Sequence, residues 1–161
     1  MPDGRVYSVV FENVAISAAQ DLFEITPADD KPCEILALFL SNVGGTADAG
    51  DAQEELLRLL ITRGYTTSGS GGSAPTPRPL NPSDAAAGFA AEVNNTSLAN
   101  TGTTHDLHAD GWNVRVPYQM IWTPETIITV TQAQTSLVVR LVGAPADAVN
   151  VSGTLYVRER G

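Results

Sequence analysis

Two imidazoles and two carboxylates fall within one short stretch, His105-Asp106-Leu107-His108-Ala109-Asp110. Such a set can bind a divalent ion, with His105, His108 and Asp110 as the candidate ligands. The histidine spacing suits a helical face, yet the flanking sequence is strand-like and Asp110-Gly111 reads as a turn. The expectation is an exposed polar turn ahead of a strand at Trp112. A metal site here would need a further ligand, or copies of one histidine meeting on a subunit axis. A second acidic group, Asp48, Asp51, Glu54 and Glu55, lacks the alternating oxygen ligands and central glycine of a helix-loop-helix calcium site and reads as a solvated turn.

Nucleophilic and nucleotide chemistry find little support. Cys33 lies in an apolar run, Pro32-Cys33-Glu34-Ile35-Leu36, where a small buried hydrophobe is expected, and both histidines are distant in sequence. The stretch Ser68-Gly69-Ser70-Gly71-Gly72-Ser73 has no Gly-Lys-Ser/Thr and runs into prolines rather than a helix, so it is not a phosphate loop. No serine has the glycine spacing of a hydrolase elbow. No carboxylate pair stands out for glycoside hydrolysis, and few aromatics are available to stack a sugar. Neither enzymatic activity nor a cofactor is expected.

The elements that would position these residues follow from composition and pattern. The chain has 161 residues, 43% hydrophobic, 17% charged and 6% aromatic, with a net charge of -9. That suffices for one domain over residues 1–161 with its own core. An acidic chain is repelled by phosphate backbones and anionic lipid, so neither nucleic acid nor a membrane is an expected partner. Charged residues fall short of the roughly one quarter usual in soluble domains. Thr, Ser, Asn, Gln, Ala and Gly take their place, as suits a surface covered by other protein. The single cysteine rules out an intrachain disulfide and a four-cysteine zinc site. The N-terminus shows no basic segment leading into an apolar core, which points to a protein made in the cytoplasm.

Strand patterns dominate. Arg5 to Asn13 and Val14 to Thr26 alternate, and Cys33 to Asn42 is apolar on both faces. Residues 53–64 (QEELLRLLITRG) carry helix-forming residues but also alternate, and the β-rich continuation favours a strand. Phe89 to Thr96, Trp112 to Trp122, Thr126 to Gln132, Ser136 to Val142 and Val151 to Arg160 complete the set. Pro117 marks an edge or bulge in the Trp112 strand, whose two tryptophans would share a face. Ser83 could cap one short helical turn. The fold class is all-β, an antiparallel β-sandwich or jelly roll.

Residues 66–82 (TTSGSGGSAPTPRPLNP) break the pattern, giving an extended loop or arm at about 66–83. Its Gly/Ser half reads as flexible and unable to pack. Its Pro-rich half is stiffened toward polyproline II. So long an excursion in a small domain is read as an arm, a hinge followed by a strap that docks on a neighbouring subunit. The expected contact residues are Ser70, Gly71, Pro75, Pro77, Arg78, Pro79, Pro82 and Arg5, with Pro2 to Val6 as a second tie.

The segments VYSVVFENVAISAAQDLFEITPADDKP, RGYTTSGSGGSAPTPRPLNPSDAAAGFAAEVNNTS and LVVRLVGAPADAVNVSGTLYVRERG together resemble a group of small virion structural proteins of tailed bacteriophages. The likeness is most specific in the Gly-Ser-Pro segment and in Ala144-Pro145-Ala146-Asp147. It implies a capsid cement or decoration protein, a homotrimer on the capsid exterior that binds the major capsid protein and clamps neighbouring capsomers. It carries over no catalytic residue. A tail or head-fibre base component, or a carbohydrate- or receptor-binding sandwich with a shallow site near Trp112 or Tyr118, are the alternatives.

Overall fold

The computed structural model describes residues 4–42, 54–131 and 135–161. Eleven strands form an antiparallel β-sandwich, with no helix among the described residues. They are β1 (Arg5–Ile16), β2 (Gln20–Thr26), β3 (Cys33–Asn42), β4 (Leu56–Tyr65), β5 (Arg78–Pro79), β6 (Ala90–Asn95), β7 (His105–Asn113), β8 (Tyr118–Ile121), β9 (Ile128–Val130), β10 (Ser136–Leu141) and β11 (Val149–Glu159). One sheet has the order β5-β1-β11-β3-β8, with β9 also paired to β3. The other has the order β6-β2-β10-β4-β7.

Burial explains the arrangement. Every second residue of β11 is buried, so Val149, Val151, Leu155 and Val157 face the core while Ser152, Thr154 and Tyr156 face out. β1 does the same with Tyr7, Val9 and Phe11. The phenyl rings of Phe11 and Phe23 meet across the two layers at 5.1 Å. Tyr7 packs edge-on against Phe89 at 5.5 Å. Each inward residue thereby removes apolar surface from water, at about 25 cal/mol per Å².

Several expectations need correction. The first strand runs on to Ile16, with a register shift between Phe11 and Val14 and Asn13 in the left-handed region (φ 53°). The strand expected within residues 53–64 is borne out as β4, where Leu57, Leu59 and Ile61 face the core between β10 and β7. No single strand joins Trp112 to Trp122. The chain leaves the second sheet after Asn113, turns through Pro117 and enters the first sheet at Tyr118. Ser83 caps no helix; Asn81 instead accepts a bond from the Ser83 backbone N–H at 3.1 Å. The expected strand end at Gln132 lies outside the described residues, as do Pro2, Asp48 and Asp51 of the groups above.

Candidate functional site

The Gly/Ser half of the arm is not slack. It is stitched to the outer side of the second sheet by paired backbone bonds, Ser70 with Ser97 and Ser73 with Val93. Glycine is required at two points. Gly71 has φ +90°, and a Cβ on Gly72 would stand 2.1 Å from the Val93 carbonyl oxygen. Beneath this flap lie buried carboxylates that a sandwich strand would not ordinarily carry. Glu24 Oε2 accepts from the Gly69 N–H at 3.0 Å and from Asn95 Nδ2 at 3.2 Å. Asn95 also donates to Glu92 at 2.6 Å and accepts from the Gly72 N–H. The flap therefore supplies one backbone donor to Glu24 and one to Asn95, while Glu24 Oε1 has no hydrogen-bond partner among the described residues.

Asp21 anchors the same region. It is fully buried, accepts from the Ala99 N–H at 2.7 Å and pairs with Arg140 through Nε at 2.5 Å and Nη2 at 3.1 Å. Arg140 also donates to the Ala99 carbonyl and the Tyr65 hydroxyl, and its guanidinium lies over the Tyr65 ring at 4.8 Å. Burial alone would lower the Arg140 pKa; hydrogen bonding and attraction to Asp21 outweigh it and hold the group above its ordinary value.

The Pro-rich half crosses to the first sheet. Arg78 and Pro79 pair with Ser8 and Tyr7, and the Leu80 N–H donates to Val6 at 2.9 Å. Farther on, the Tyr7 hydroxyl donates to Ala85, and Glu159 accepts from the N–H groups of Gly88 and Phe89. The segment thus runs from the β6 edge of one sheet to the β1 edge of the other and seals one flank of its own sandwich. Among the expected contact residues, Pro77 is buried against its own domain and Pro75 and Pro79 are half-buried. Ser70, Gly71, Arg78, Pro82 and Arg5 point to solvent.

The opposite flank holds the histidines. The stretch expected as a turn is most of β7, an edge strand paired only with β4 among the described residues. Its polar alternation hid it: an edge strand with both faces wet has no apolar period to read. A register shift between Ile61 and Thr62 of β4 places the extra residue in β7. His108 and Asp110 meet Tyr118, whose hydroxyl donates to Asp110 at 3.0 Å and lies 3.3 Å from His108 Nε2. The His108 ring stands edge-on to Trp122. Burial, then the Asp110 hydrogen bond and charge, push the Tyr118 pKa up. His105 lies apart, lining a different depression beside Arg63 and Thr103. Among the described residues no group of three or more His, Cys, Asp or Glu side chains is placed to hold a metal ion.

Other residues fall as follows. Cys33 is fully buried, its thiol pushed up to about 12 by burial and then by the Glu159 charge. Glu55 accepts from the Ala146 N–H at 2.6 Å, tying the start of β4 to a loop. Trp112 and Tyr118 are 2% and 9% exposed, so neither offers the face that a sugar would stack on.

No protein-family model and no curated protein matches the chain. The solved structures similar to it include the infectious bursal disease virus VP2 subviral particle, at 14% identity over 97% of this chain and 39% of that one, with a TM-score of 0.13. The T=1 particles derived from infectious bursal virus give 14% identity over 98% and 40%, with a TM-score of 0.12. The chain spans about two fifths of the length of these proteins. Likeness at such TM-scores carries no argument about function.

Proposed function

We propose that this chain is a virion structural protein, a capsid cement or decoration protein that binds the outer capsid surface and clamps neighbouring capsomers through contact rather than chemistry. Strand order carries the reading. With β5, β6 and β9 set aside, the sheets read β1-β11-β3-β8 and β2-β10-β4-β7. That order supports reading the sandwich as an eight-stranded jelly roll, an architecture used by viral capsid and lectin domains. Fold alone does not assign function. The sequence likeness to phage virion proteins and the sparsely charged surface supply the direction. Trp112 and Tyr118 are too covered to support the lectin alternative at the place expected for it.

The strap acts in this reading as a rigid ridge rather than a free arm. Its backbone is already ordered by its own domain, so docking its outward side chains costs little further entropy. Arg78 and Leu80 are among its exposed side chains, Leu80 at 57%. Many copies, each burying an interface of standard size (~1,600 Å²), would together hold a shell against internal pressure.

Removing the segment outright is a poor test, because the flap donates to the buried Glu24 and covers one flank of the domain. Point changes are cleaner. Arg78→Glu with Leu80→Asp should leave a cooperatively melting protein that no longer co-sediments with expanded capsids of the cognate phage. Undiminished co-sedimentation would remove the strap from the mechanism, and wild-type protein that ignores capsids would overturn the capsid assignment itself.

A further inference from the structure

A polar cleft of about 550 Å³ opens beside the end of β4, lined by Arg63, Gly64, Thr66, Thr103, His105 and Thr131. Its size falls in the range of small-ligand sites, about 300–1,000 Å³. None of these residues is among those assigned to the capsid contact. Arg63 is the group that gives the cleft its chemistry. It belongs to β4 of the second sheet, yet its Nη1 donates to the Thr129 carbonyl of β9, in the first sheet, at 2.7 Å. The half-buried guanidinium is thereby pinned between the two layers. Lys31, Arg140, Arg158 and Arg160 each pair with a carboxylate, whereas Arg63 meets none among the described residues. A neutral carbonyl orients its fork of donors without offsetting its charge.

The surroundings are set by the fold. His105 stands directly opposite Arg63 in the β4–β7 ladder, so the two side chains leave the same face of the sheet. Gly64 has φ +105°, and a Cβ on it would stand 2.1 Å from the Thr103 carbonyl oxygen, which holds the 103–105 segment against the end of β4. Thr66 is tied back through its hydroxyl to that of Thr101 at 2.9 Å. A wall already ordered by its own backbone asks little further entropy of a ligand. The acids next along the chain or ladder are engaged elsewhere. Asp106 accepts from the Thr62 hydroxyl at 2.8 Å, and Glu34, opposite Thr129, pairs with Arg158 and Arg160. The net charge of -9 opposes an anion from afar, but physiological salt screens exposed charges beyond about 8 Å.

We propose that this cleft binds the oxyanion group of a small polar ligand, a phosphate, sulfate or carboxylate, held by Arg63 and His105 with the threonine hydroxyls of the rim beside it. The guanidinium supplies charge and paired N–H donors, and the imidazole supplies one further donor. The site is independent of the capsid reading, and either can fail without the other.

Titration of the full chain followed by NMR tests it, at one fixed pH and at constant ionic strength balanced with chloride. The probes are inorganic phosphate, inorganic sulfate and glucuronate. The chain has two histidines, so His105 and His108 serve as site and internal control. At least one probe should shift the His105 ring and the Gly64 and Thr103 amides along a saturating curve, with His108 unmoved. Phosphate or sulfate saturating ahead of glucuronate identifies a tetrahedral oxyanion, and the reverse order identifies a carboxylate-bearing sugar. Arg63→Gln should weaken binding at least about tenfold, the loss expected for a charged hydrogen bond, and Arg63→Lys should recover only part of it. Because Arg63 also ties β4 to Thr129, His105→Gln on an exposed side chain is the second variant; it should weaken binding at least about threefold with an unchanged thermal melt. Shifts no larger than those produced by chloride alone overturn the proposal. So does saturable binding that both Arg63→Gln and His105→Gln leave intact.

Discussion

Replacing Asp21 with alanine removes the acceptor for three donors, Arg140 Nε, Arg140 Nη2 and the Ala99 N–H. The Arg140 side chain is 15% exposed, so its charge cannot turn to water without disturbing the sheet. It keeps the Tyr65 hydroxyl and the Ala99 carbonyl, neither of which carries a full negative charge. Breaking one partner of a buried pair costs about 3–5 kcal/mol. Total stabilities are only about 5–15 kcal/mol. At about 2–4 °C per kcal/mol for a chain of this size, Asp21→Ala should lower Tm by roughly 6–20 °C. Arg140→Met in the same background removes the stranded charge. The double variant should therefore recover at least about 2 kcal/mol relative to the sum of the single ones. Urea unfolding followed by fluorescence and circular dichroism supplies the cycle, with an unchanged m-value as the control. An Asp21→Ala loss below about 1 kcal/mol, or strictly additive single effects, would refute the claim that this pair is a buried, mutually dependent anchor.

Two further outcomes follow from the same structure. Gly72→Ala would place a methyl 2.1 Å from the Val93 oxygen and 2.6 Å from the Asn94 carbonyl carbon, so it should cost about 1–3 kcal/mol and speed amide exchange at Ser70 and Ser73. Unchanged exchange at those amides would mean that the flap is not clamped. Cys33 holds its proton more tightly when folded (about 12) than in its ordinary state (9.0), so its contribution is complete below pH 9 and is lost as pH rises toward 12. The unfolding free energy should fall above pH 9, by about 1.4 kcal/mol per pH unit for this group. Cys33→Ala should show a shallower alkaline slope, and an identical slope would contradict the assignment.

The sandwich was legible where one face of a strand is dry. β11 carries an apolar period that only one buried face produces, while β3 and β10 are runs buried on both faces. The period vanished at β7, whose residues are mostly exposed, so His105 to Asp110 read as a turn. The flap was misread for a different reason. Gly and Ser bring no apolar side chain to pack, yet a backbone N–H such as that of Gly69 can donate to a buried acid. A signal was present in Asp21 and Glu24, two carboxylates inside the apolar strand DLFEIT, each requiring donors from elsewhere. What no local pattern could reveal was that Asn95 would bring Glu92, Glu24 and Gly72 together, since that depends on two strands meeting.

The placement of β11 governs how the molecule comes into being. This last strand lies between β1 and β3, and a bond such as Asn13 to Ser152 joins residues 139 positions apart. Synthesis adds only about 5–20 residues per second, so the first strand spends many seconds without the neighbour that completes its ladder. During that interval its unpaired backbone is exposed to other nascent chains. Loss of the final dozen residues would remove the middle of one layer rather than fray an end, so an interrupted translation product is a substrate for chaperones and proteases instead of a shortened working copy.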